Sequence, residues 1–297
     1  MRLDRYLQQK RRLIDRALQR YVPLAASGDR LTEAIRYSLF SGGKRLRPIL
    51  ALAASEAVGG DSAPVLPFAC AIEMIHTYSL IHDDLPAMDD DDLRRGRPTS
   101  HIVFGEALAI LAGDALLTEA FHVMGQAALS GVVPQRRAVQ VLTEVAAAAG
   151  VRGMVGGQAA DLSAEKRAPD LPLVEYIHVR KTGELIRASV RAGAIVAGAR
   201  AAQLKRLTRY AEYLGLAFQI ADDILDEEGS VKVTGKRGGR DRERHKATFP
   251  AVLGLPASKQ RARELLSAAL EELSPFGPKA EPLRQIARLI VARACPL

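Results

Sequence analysis

The chain has 297 residues, of which 48% are hydrophobic, and a formal net charge of +8. This apolar content is sufficient for a sizeable core and excludes a chain that is disordered throughout. Trp is absent and aromatic residues make up only 5%, while Ala and Leu are abundant, which favours helices over strands. No linker or composition shift divides the sequence, and we therefore predict one domain over residues 1–297.

Helical periodicity recurs along most of the chain. After an amphipathic, charged N-terminal segment, apolar stripes cover 31–57, 66–84, 104–128, 135–160, 172–198, 207–225, 259–273 and 280–294. Clusters of Gly and Pro separate these segments, and no alternating strand pattern of useful length occurs. The sequence predicts an all-α fold of about ten or more helices.

Several classes of protein are disfavoured by features that the sequence lacks. Cys70 and Cys295 form neither a disulfide framework nor a metal-binding pattern. The N-terminus has no apolar signal segment, and no uninterrupted apolar run approaches the roughly 20 residues of a membrane span. The basic stretch Val231–Lys246 carries no aromatic stacking residues, and no helix-turn-helix or zinc pattern occurs. We expect a cytoplasmic protein with no membrane span and no nucleic-acid partner.

The first acidic motif places six aspartates within the ten residues from Asp83 to Asp92, directly after a predicted apolar helix. Pro86 disfavours helical geometry in the residue before it, so the helix should end near Asp84. The chain should then bend and bring Asp89 back beside Asp83. Adjacent carboxylates repel one another, and the motif therefore predicts a cation between them.

The second acidic motif, Asp222-Asp223-x-x-Asp226, closes another apolar helix. Asp222 and Asp226 lie one turn apart on the same face, and the stripe continues through Gln219 to Gly215. We interpret this face as a cavity wall with charge at the mouth, one amide lower down and open space beneath. Two such clusters suit Mg²⁺, which takes one or two protein carboxylates and completes its octahedron with waters and substrate phosphates.

Basic residues accompany both acidic motifs. In the stretch Ser41–Pro48, a Gly-Gly pair precedes Lys44, Arg45 and Arg47, and such a turn lets backbone amides approach a phosphate. Further candidates for anion binding are Arg94, Arg95, Lys181, Thr182, Lys236, Lys246 and His76. The competing interpretation of Arg94 and Arg95 is an ion pair with Asp90–Asp92. Together the motifs predict two diphosphates, one held through metal and one held by Lys and Arg alone.

The motifs as a set resemble those of the trans-isoprenyl diphosphate synthases, most of all the bacterial farnesyl diphosphate synthases. In chain order they are GGKRLRP, SLIHDDLPAMDDDDLRRG, GGQAADL, RKTGELI, FQIADDILD, GKRGGRD and KATFP, and they cover nearly the whole chain. The resemblance implies helices around a deep central cavity, usually in a homodimer. It implies that isopentenyl diphosphate is condensed with dimethylallyl or geranyl diphosphate to give farnesyl diphosphate.

The resemblance also implies a role for each matching position. Two Mg²⁺ ions, or Mn²⁺ in their place, would be held by Asp83, Asp84 and Asp89, and a third by Asp222, Asp223 and Asp226. Isopentenyl diphosphate would be bound by Gly43, Lys44, Arg47, His76 and Arg95, and the allylic diphosphate by Arg94, Lys181 and Lys236. The residues nearest the chemistry would be Lys181, Thr182, Gln219 and Lys236.

Product length is expected to depend on the cavity floor. Tyr78 lies five residues before Asp83, about 7.5 Å down the helix axis. In family members that stop at fifteen carbons, an aromatic residue at this position, together with the two-residue insertion seen here as Pro86-Ala87, blocks further growth. Ser79 stands next to Tyr78 in the chain. The expected product is farnesyl diphosphate.

Three alternatives stay open. The same chemistry could give geranyl or geranylgeranyl diphosphate. A class I terpene cyclase also ionises a diphosphate, but it needs no second diphosphate site, so the GGKRLRP motif and His76 argue against it. A non-catalytic partner subunit is disfavoured because both acidic motifs are intact.

Overall fold

The computed structural model describes residues 3–164, 170–229 and 246–295. Its α-helices are α1 (Leu3–Tyr21), α2 (Arg30–Leu39), α3 (Leu46–Ala57), α4 (Leu66–Asp83), α5 (Ser100–Phe104), α6 (Glu106–Leu129), α7 (Gln135–Ala149), α8 (Met154–Ala164), α9 (Leu171–His178), α10 (Glu184–Val196), α11 (Ala201–Glu227), α12 (Phe249–Leu253), α13 (Leu255–Glu272) and α14 (Glu281–Ala292). A π-helical turn, Val179–Gly183, joins α9 to α10. Short 3₁₀ turns precede α4 and α14. The all-α prediction is confirmed.

The described residues include a short β-hairpin, with strands of two residues each, that the sequence did not indicate. Strand β1 (Leu93–Arg94) pairs antiparallel with β2 (Arg97–Pro98). The hairpin follows the acidic turn after α4 and places Arg94 and Arg95 next to that turn.

The segment 31–57, predicted to be helical, is two helices that are divided at the Gly-Gly turn. Gly42 and Gly43 have φ of 96° and 127°, and Arg45 has φ of 50°, a backbone region that ends an α-helix. The turn is anchored by the buried guanidinium of Arg45, which donates to Glu73 and Asp15 at 2.9 Å each. Arg45 is therefore structural, and the turn presents Lys44 at the start of α3.

Two other predicted helices are also divided. The segment 135–160 breaks after Ala149 into α7 and α8, and the segment 172–198 is divided by the π-helical turn. Periodicity continues across both breaks, which is why it did not indicate them. The second break lies at Lys181 and Thr182, and single-turn π-helices occur frequently at functional sites.

The centre of the core is formed by α3, α4 and α10, in which most residues are buried. α4 packs along α6, α3 along α10, and α11 along α13. α3 and α10 approach closely at Gly193, which has no side chain to keep them apart. A Cβ added at Gly193 would overlap the carbonyl oxygen of Ala51. α11 approaches the π-helical turn in the same way, since a Cβ at Gly215 would lie 2.9 Å from Cα of Gly183. The prediction of open space beneath Gln219 is therefore wrong at Gly215, which is a packing contact.

The bend after α4 is confirmed. α4 ends at Asp83, and the backbone N–H of Asp89 donates to the carbonyl oxygen of Asp83 at 2.8 Å. A second bond, from the N–H of Asp91 to the carbonyl of Asp84 at 3.2 Å, closes the turn further. The backbone itself thus holds the carboxylates of the first motif together.

Three helical segments have the length and mean hydropathy needed to cross a membrane. They are Ala63–Asp83, Glu106–Leu129 and Gln135–Ala164. The expectation of no membrane span is therefore not confirmed. Within Ala63–Asp83, 67% of the most apolar window is buried inside the fold, and Glu73 on this segment is paired with Arg45.

Candidate active site

A cavity of about 550 Å³ opens beside the C-terminal end of α4. Its walls come from α4 and the turn after it, from α8, from the π-helical turn and from Ile110 on α6. Of the predicted site residues, the lining brings together Arg47, His76, Tyr78, Ser79, Asp83, Lys181 and Thr182. Most of the lining is apolar, so the cavity suits a hydrocarbon chain with a charged group at its mouth.

The first acidic cluster lies at the mouth of the cavity. Burial raises the pKa of Asp83 to about 6; Lys181 opposes this shift and Asp89 adds to it. Asp84 is buried and accepts hydrogen bonds from Arg94, with contacts of 2.6–2.8 Å. The competing interpretation paired Arg94 with Asp90–Asp92, and the salt bridge that Arg94 forms is instead with Asp84. A cation beside Asp83 and Asp89 would offset the electrostatic repulsion between their carboxylates.

The three aspartates of the second acidic cluster lie on different faces of α11 and differ in exposure. Asp222 is exposed and Asp226 is half-buried, whereas Asp223 is buried. The carboxylate of Asp223 accepts the N–H of Phe249 at 2.9 Å and lies 3.5 Å from Nε2 of His178. Burial lowers the pKa of His178 to about 4. Asp223 therefore faces the segment after residue 245, while Asp222 and Asp226 share the other face.

The two acidic clusters fit a magnesium site that the substrate completes. Among residues 3–164, 170–229 and 246–295, no three His, Cys, Asp or Glu side chains form a group that could hold a metal ion alone. Mg²⁺ takes one or two protein carboxylates and fills its remaining positions with waters and phosphate oxygens. The donors are all oxygens, and Asp83 repels its acidic neighbours in the absence of a cation. These residues thus fit the group that the sequence predicted.

The basic cluster at the start of α3 differs from the acidic clusters in how Lys44 and Arg47 are paired. In the part of the chain that the structure describes, neither Lys44 nor Arg47 forms a salt bridge, and Nε of Arg47 is buried without a hydrogen-bond partner. Burial lowers the pKa of Arg47 to about 10. Burial also lowers the pKa of His76, and the charges of Arg47 and Arg95 lower it further. Unpaired cations in such a place predict an anionic ligand.

The Gly-Gly turn completes this cluster. Arg95 donates to the carbonyl oxygen of Gly42, and a Cβ at Gly43 would lie 2.7 Å from its Nη1. The absence of a side chain at Gly43 thus lets the guanidinium reach the turn. Burial lowers the pKa of Lys44, and the charge of Arg293 adds to this effect while Asp222 opposes it. Arg293 was not among the predicted residues, since no motif marks it.

The π-helical turn presents the predicted catalytic pair. Thr182 is buried and lines the cavity, and Nζ of Lys181 donates to the carboxylate of Asp161 at 2.6 Å. Asp161 and Gln158 belong to the GGQAADL motif, to which no role was assigned from the sequence. Gln219 is half-buried on α11. Lys236 lies outside the described residues, and Lys246 lies 3.4 Å from Asp89.

The ring of Tyr78 packs against His82, which in turn contacts α6. Tyr78 is 7% exposed, and its ring meets that of His82 edge to face with centroids 5.7 Å apart. Nε2 of His82 lies 3.0 Å from the carbonyl oxygen of Ile110 on α6, and a Cβ at Gly113 would overlap the His82 ring. Burial raises the pKa of Tyr78 to about 12, with a further contribution from Asp83. The ring is thus a neutral, fixed part of the wall between α4 and α6.

Known proteins are similar to this chain over nearly its whole length. The family model described as polyprenyl synthetase matches residues 28–280. The chain is 47% identical over 291 residues to the farnesyl diphosphate synthase of Geobacillus stearothermophilus, covering 98% of each chain. It is 47% identical over 289 residues to the geranylgeranyl diphosphate synthase of Cyanophora paradoxa, covering 97% of this chain and 95% of that one.

A solved structure is similar over the same extent. The apo crystal structure of an FPP/GFPP synthase from Zymomonas mobilis has a TM-score of 0.87 and 41% identity, covering 98% of this chain and 99% of that one. The chain belongs to the polyprenyl synthetase family. Both the resemblance inferred from the motifs and the predicted fold, helices around a cavity, are confirmed.

The raised pKa of Asp83 has a measurable effect on stability. Asp83→Asn should raise the free energy of unfolding of the metal-free protein by about 1–3 kcal/mol near neutral pH. A pKa raised to about 6 means that the folded state is favoured while the carboxyl is protonated, and that this contribution is lost as pH rises through about 6. The advantage of Asn should therefore be largest at neutral pH and disappear below about pH 4.

The measurement is urea unfolding with excess chelator across this pH range. Asp92→Asn, at an exposed position of the same motif, is the matched control and should change little. A gain for Asp83→Asn that is the same at every pH would contradict the assignment.

Proposed function

We propose that this prenyltransferase condenses isopentenyl diphosphate with dimethylallyl or geranyl diphosphate and releases farnesyl diphosphate. The observation that carries the proposal is the pairing of two unlike anion sites at one cavity. One site has carboxylates that suit a metal-bound diphosphate, around Asp83. The other has the unpaired cations Lys44 and Arg47. Relatives named farnesyl diphosphate synthase support the same assignment.

The allylic diphosphate would lie at the acidic clusters. The family is generally metal-dependent, and three Mg²⁺ ions, or Mn²⁺ in their place, would be held by Asp83, Asp84, Asp89, Asp222, Asp223 and Asp226. Such ions would supply positive charge to the diphosphate as it leaves. Lys181 and Arg94 lie beside Asp83 and would donate to the same diphosphate. Because they already pair with Asp161 and Asp84, their positions are set before substrate arrives.

The second diphosphate would be bound without metal by Lys44, Arg47 and Arg95. This places the double bond of isopentenyl diphosphate next to the allylic carbon. The allylic C–O bond breaks, the double bond attacks the resulting cation, and a proton lost from isopentenyl diphosphate passes to the released diphosphate. The apolar walls exclude water from the cation, and Thr182 contributes a dipole beside it. No protein nucleophile is required.

The experiment is incubation of the purified protein with Mg²⁺, labelled isopentenyl diphosphate and each allylic starter, then chromatography of the dephosphorylated alcohols. We expect one fifteen-carbon alcohol. Asp222→Ala should lower turnover at least about 100-fold, since charge stabilisation of the departing group is lost. The matched control is Glu227→Ala, at an exposed residue of the same helix end.

Two results would contradict the proposal. Full turnover of Asp222→Ala, or of the wild-type protein in excess chelator, would exclude a metal-assisted reaction. A cyclic hydrocarbon in place of the alcohol would identify a cyclase.

Product length follows from Tyr78 in this proposal. Named relatives include synthases of fifteen-carbon and of twenty-carbon products, so the overall fold does not decide the length. The ring of Tyr78 lies in the cavity wall beyond Asp83 and is braced by His82. A growing chain that reaches the ring would stop there.

Tyr78→Ala should therefore shift the main product from fifteen to twenty or more carbons, because the truncated side chain opens the floor. Tyr78→Phe keeps the ring and should keep the fifteen-carbon product. Gas chromatography of the dephosphorylated alcohols measures both distributions. The floor is assigned to the wrong residue if the Ala variant and the wild-type protein give the same distribution.

We also infer a homodimer in the cytoplasm. An apolar patch, defined by Ile102, Val103, Ile110 and Leu111 on α5 and the start of α6, is 42–52% exposed. Exposed apolar patches mark interaction sites, and a second copy covering α6 would account for the high hydropathy of Glu106–Leu129. Ile110 also lines the cavity, so the interface would adjoin the site.

Leu111→Arg should convert the dimer to a monomer, because a charge would be buried in the interface without a partner. Light scattering coupled to size-exclusion chromatography gives the mass directly. Val132→Arg changes an apolar residue that is 68% exposed after the end of α6 and should leave the dimer intact. A Leu111→Arg protein that stays dimeric would place the interface elsewhere.

A further inference from the structure

The imidazole of His82, near the end of α4, lies against α6. Its Nε2 is 3.0 Å from the carbonyl oxygen of Ile110. Because a carbonyl oxygen can only accept, Nε2 carries a proton and donates it to this bond. The carboxylate of Asp114, one turn further along α6, lies 3.9 Å from the same nitrogen. Two groups of α6 thus face the Nε2 edge of the ring.

The ring fits against α6 because residue 113 is a glycine. α4 and α6 pack along each other, and Gly113 is buried in α6. A Cβ added at Gly113 would overlap Nε2 of His82, so any side chain there would force the ring away from α6. Glycine weakens the interior of a helix relative to alanine. Its presence at this position therefore indicates a packing requirement.

The same ring also packs against Tyr78, one turn earlier on α4. The two rings meet edge to face, with an interplanar angle of 78° and centroids 5.7 Å apart. Among the described residues the hydroxyl of Tyr78 forms no hydrogen bond, whereas the side chains of Thr77 and Ser79 each form one. The orientation of the Tyr78 ring therefore depends on packing, and His82 supplies an aromatic contact for it.

Both rings belong to the wall of the cavity. Tyr78 and His82 line it together with Ile110, and 26% of the His82 side chain is exposed. A chain that grows to the Tyr78 ring can pass only if that ring turns aside. The ring can turn aside easily only if His82 moves, and the contacts with Ile110 and Gly113 hold His82 in place.

We propose that His82 is a positioning residue that sets product length by holding the ring of Tyr78 in the cavity wall. This deepens the proposed function and rests on it. Product length is then decided by a contact between α4 and α6, and Gly113 takes part in it although it precedes no motif and carries no side chain.

The length of the product separates this role from a general one. His82 adjoins Asp83, so its replacement can lower turnover by disturbing the acidic cluster. A loss of that kind, or a loss of stability, slows the reaction without a reason to lengthen its product. The ratio of twenty-carbon to fifteen-carbon alcohol is therefore the measured quantity.

His82→Ala should raise this ratio at least about tenfold, which is within the range that contacts in an apolar pocket discriminate. The truncated side chain removes the contact that keeps the Tyr78 ring in place. His82→Gln keeps a donor that can reach the carbonyl oxygen of Ile110 and should raise the ratio less. Gas chromatography of the dephosphorylated alcohols gives the ratio, and kcat and KM are measured beside it.

A second variant leaves α4 and every acidic residue unchanged. Gly113→Ala should raise the ratio, because the added Cβ forces the His82 ring away from α6. In the His82→Ala background the same change should have no further effect, since its target is gone. The matched control is Gly125→Ala on the same helix, where an added Cβ meets nothing within 4 Å. Both alanines favour the helix, but only the one at position 113 should alter the product.

Three outcomes overturn the proposal while the proposed function stands. The first is a wild-type ratio in His82→Ala, and the second is a wild-type ratio in Gly113→Ala, which decides the matter if His82→Ala makes no product. The third is an effect of Gly113→Ala that persists in full in the double variant. If the wild-type protein makes no prenyl product from any starter, the proposed function itself fails, and the role of His82 with it.

Discussion

The hydrogen bond from the N–H of Asp89 to the carbonyl of Asp83 is the contact on which the site depends. It returns the chain to the end of α4 and holds carboxylates side by side that would otherwise move apart. The pair of Asp84 and Arg94 fixes the same turn from the hairpin side. Burial raises the pKa of Asp83, and repulsion by Asp89 adds to that shift. A cation bound here would offset the repulsion between carboxylates that this hydrogen bond keeps close together.

The pairing of charges distinguishes the two anion sites. At the acidic mouth, Lys181, Arg94 and Lys246 each contact a carboxylate, so net charge there is low or negative until a cation binds. At the start of α3, Lys44 and Arg47 have no salt bridge in the described ranges, and the local charge is positive. In the proposed function, electrostatics would direct one diphosphate to a metal held at the acidic mouth and the other to the cationic site. The difference in charge would then distinguish two substrates that carry the same head group.

Much of the molecule could be predicted from the sequence because the relevant signals are local. Apolar periodicity indicated the helices, and Pro86 indicated the bend that brings Asp89 to Asp83. The Gly-Gly pair at Gly42 and Gly43 indicated a turn, but the π-helical turn was not predicted, since a single turn with altered hydrogen bonding does not interrupt an apolar stripe. Contacts between distant segments escaped as well. Gly215 was interpreted as open space, although the missing side chain admits Gly183 of another helix.

The sequence could not show which polar groups lack hydrogen-bond partners, because that depends on residues far away in the chain. A glutamine in an Ala-rich helix is unremarkable in sequence, and its significance appears only when both ends of the amide of Gln158 prove unpaired. The same holds for the buried Nε of Arg47. Together with Asp83, these groups lower the stability of the empty site, and the buried faces of α3, α4 and α10 offset that loss. In the proposed function, the ligands would satisfy the charges of Asp83 and Arg47. A site that is unsatisfied when empty can stabilise charge that exists only during the reaction.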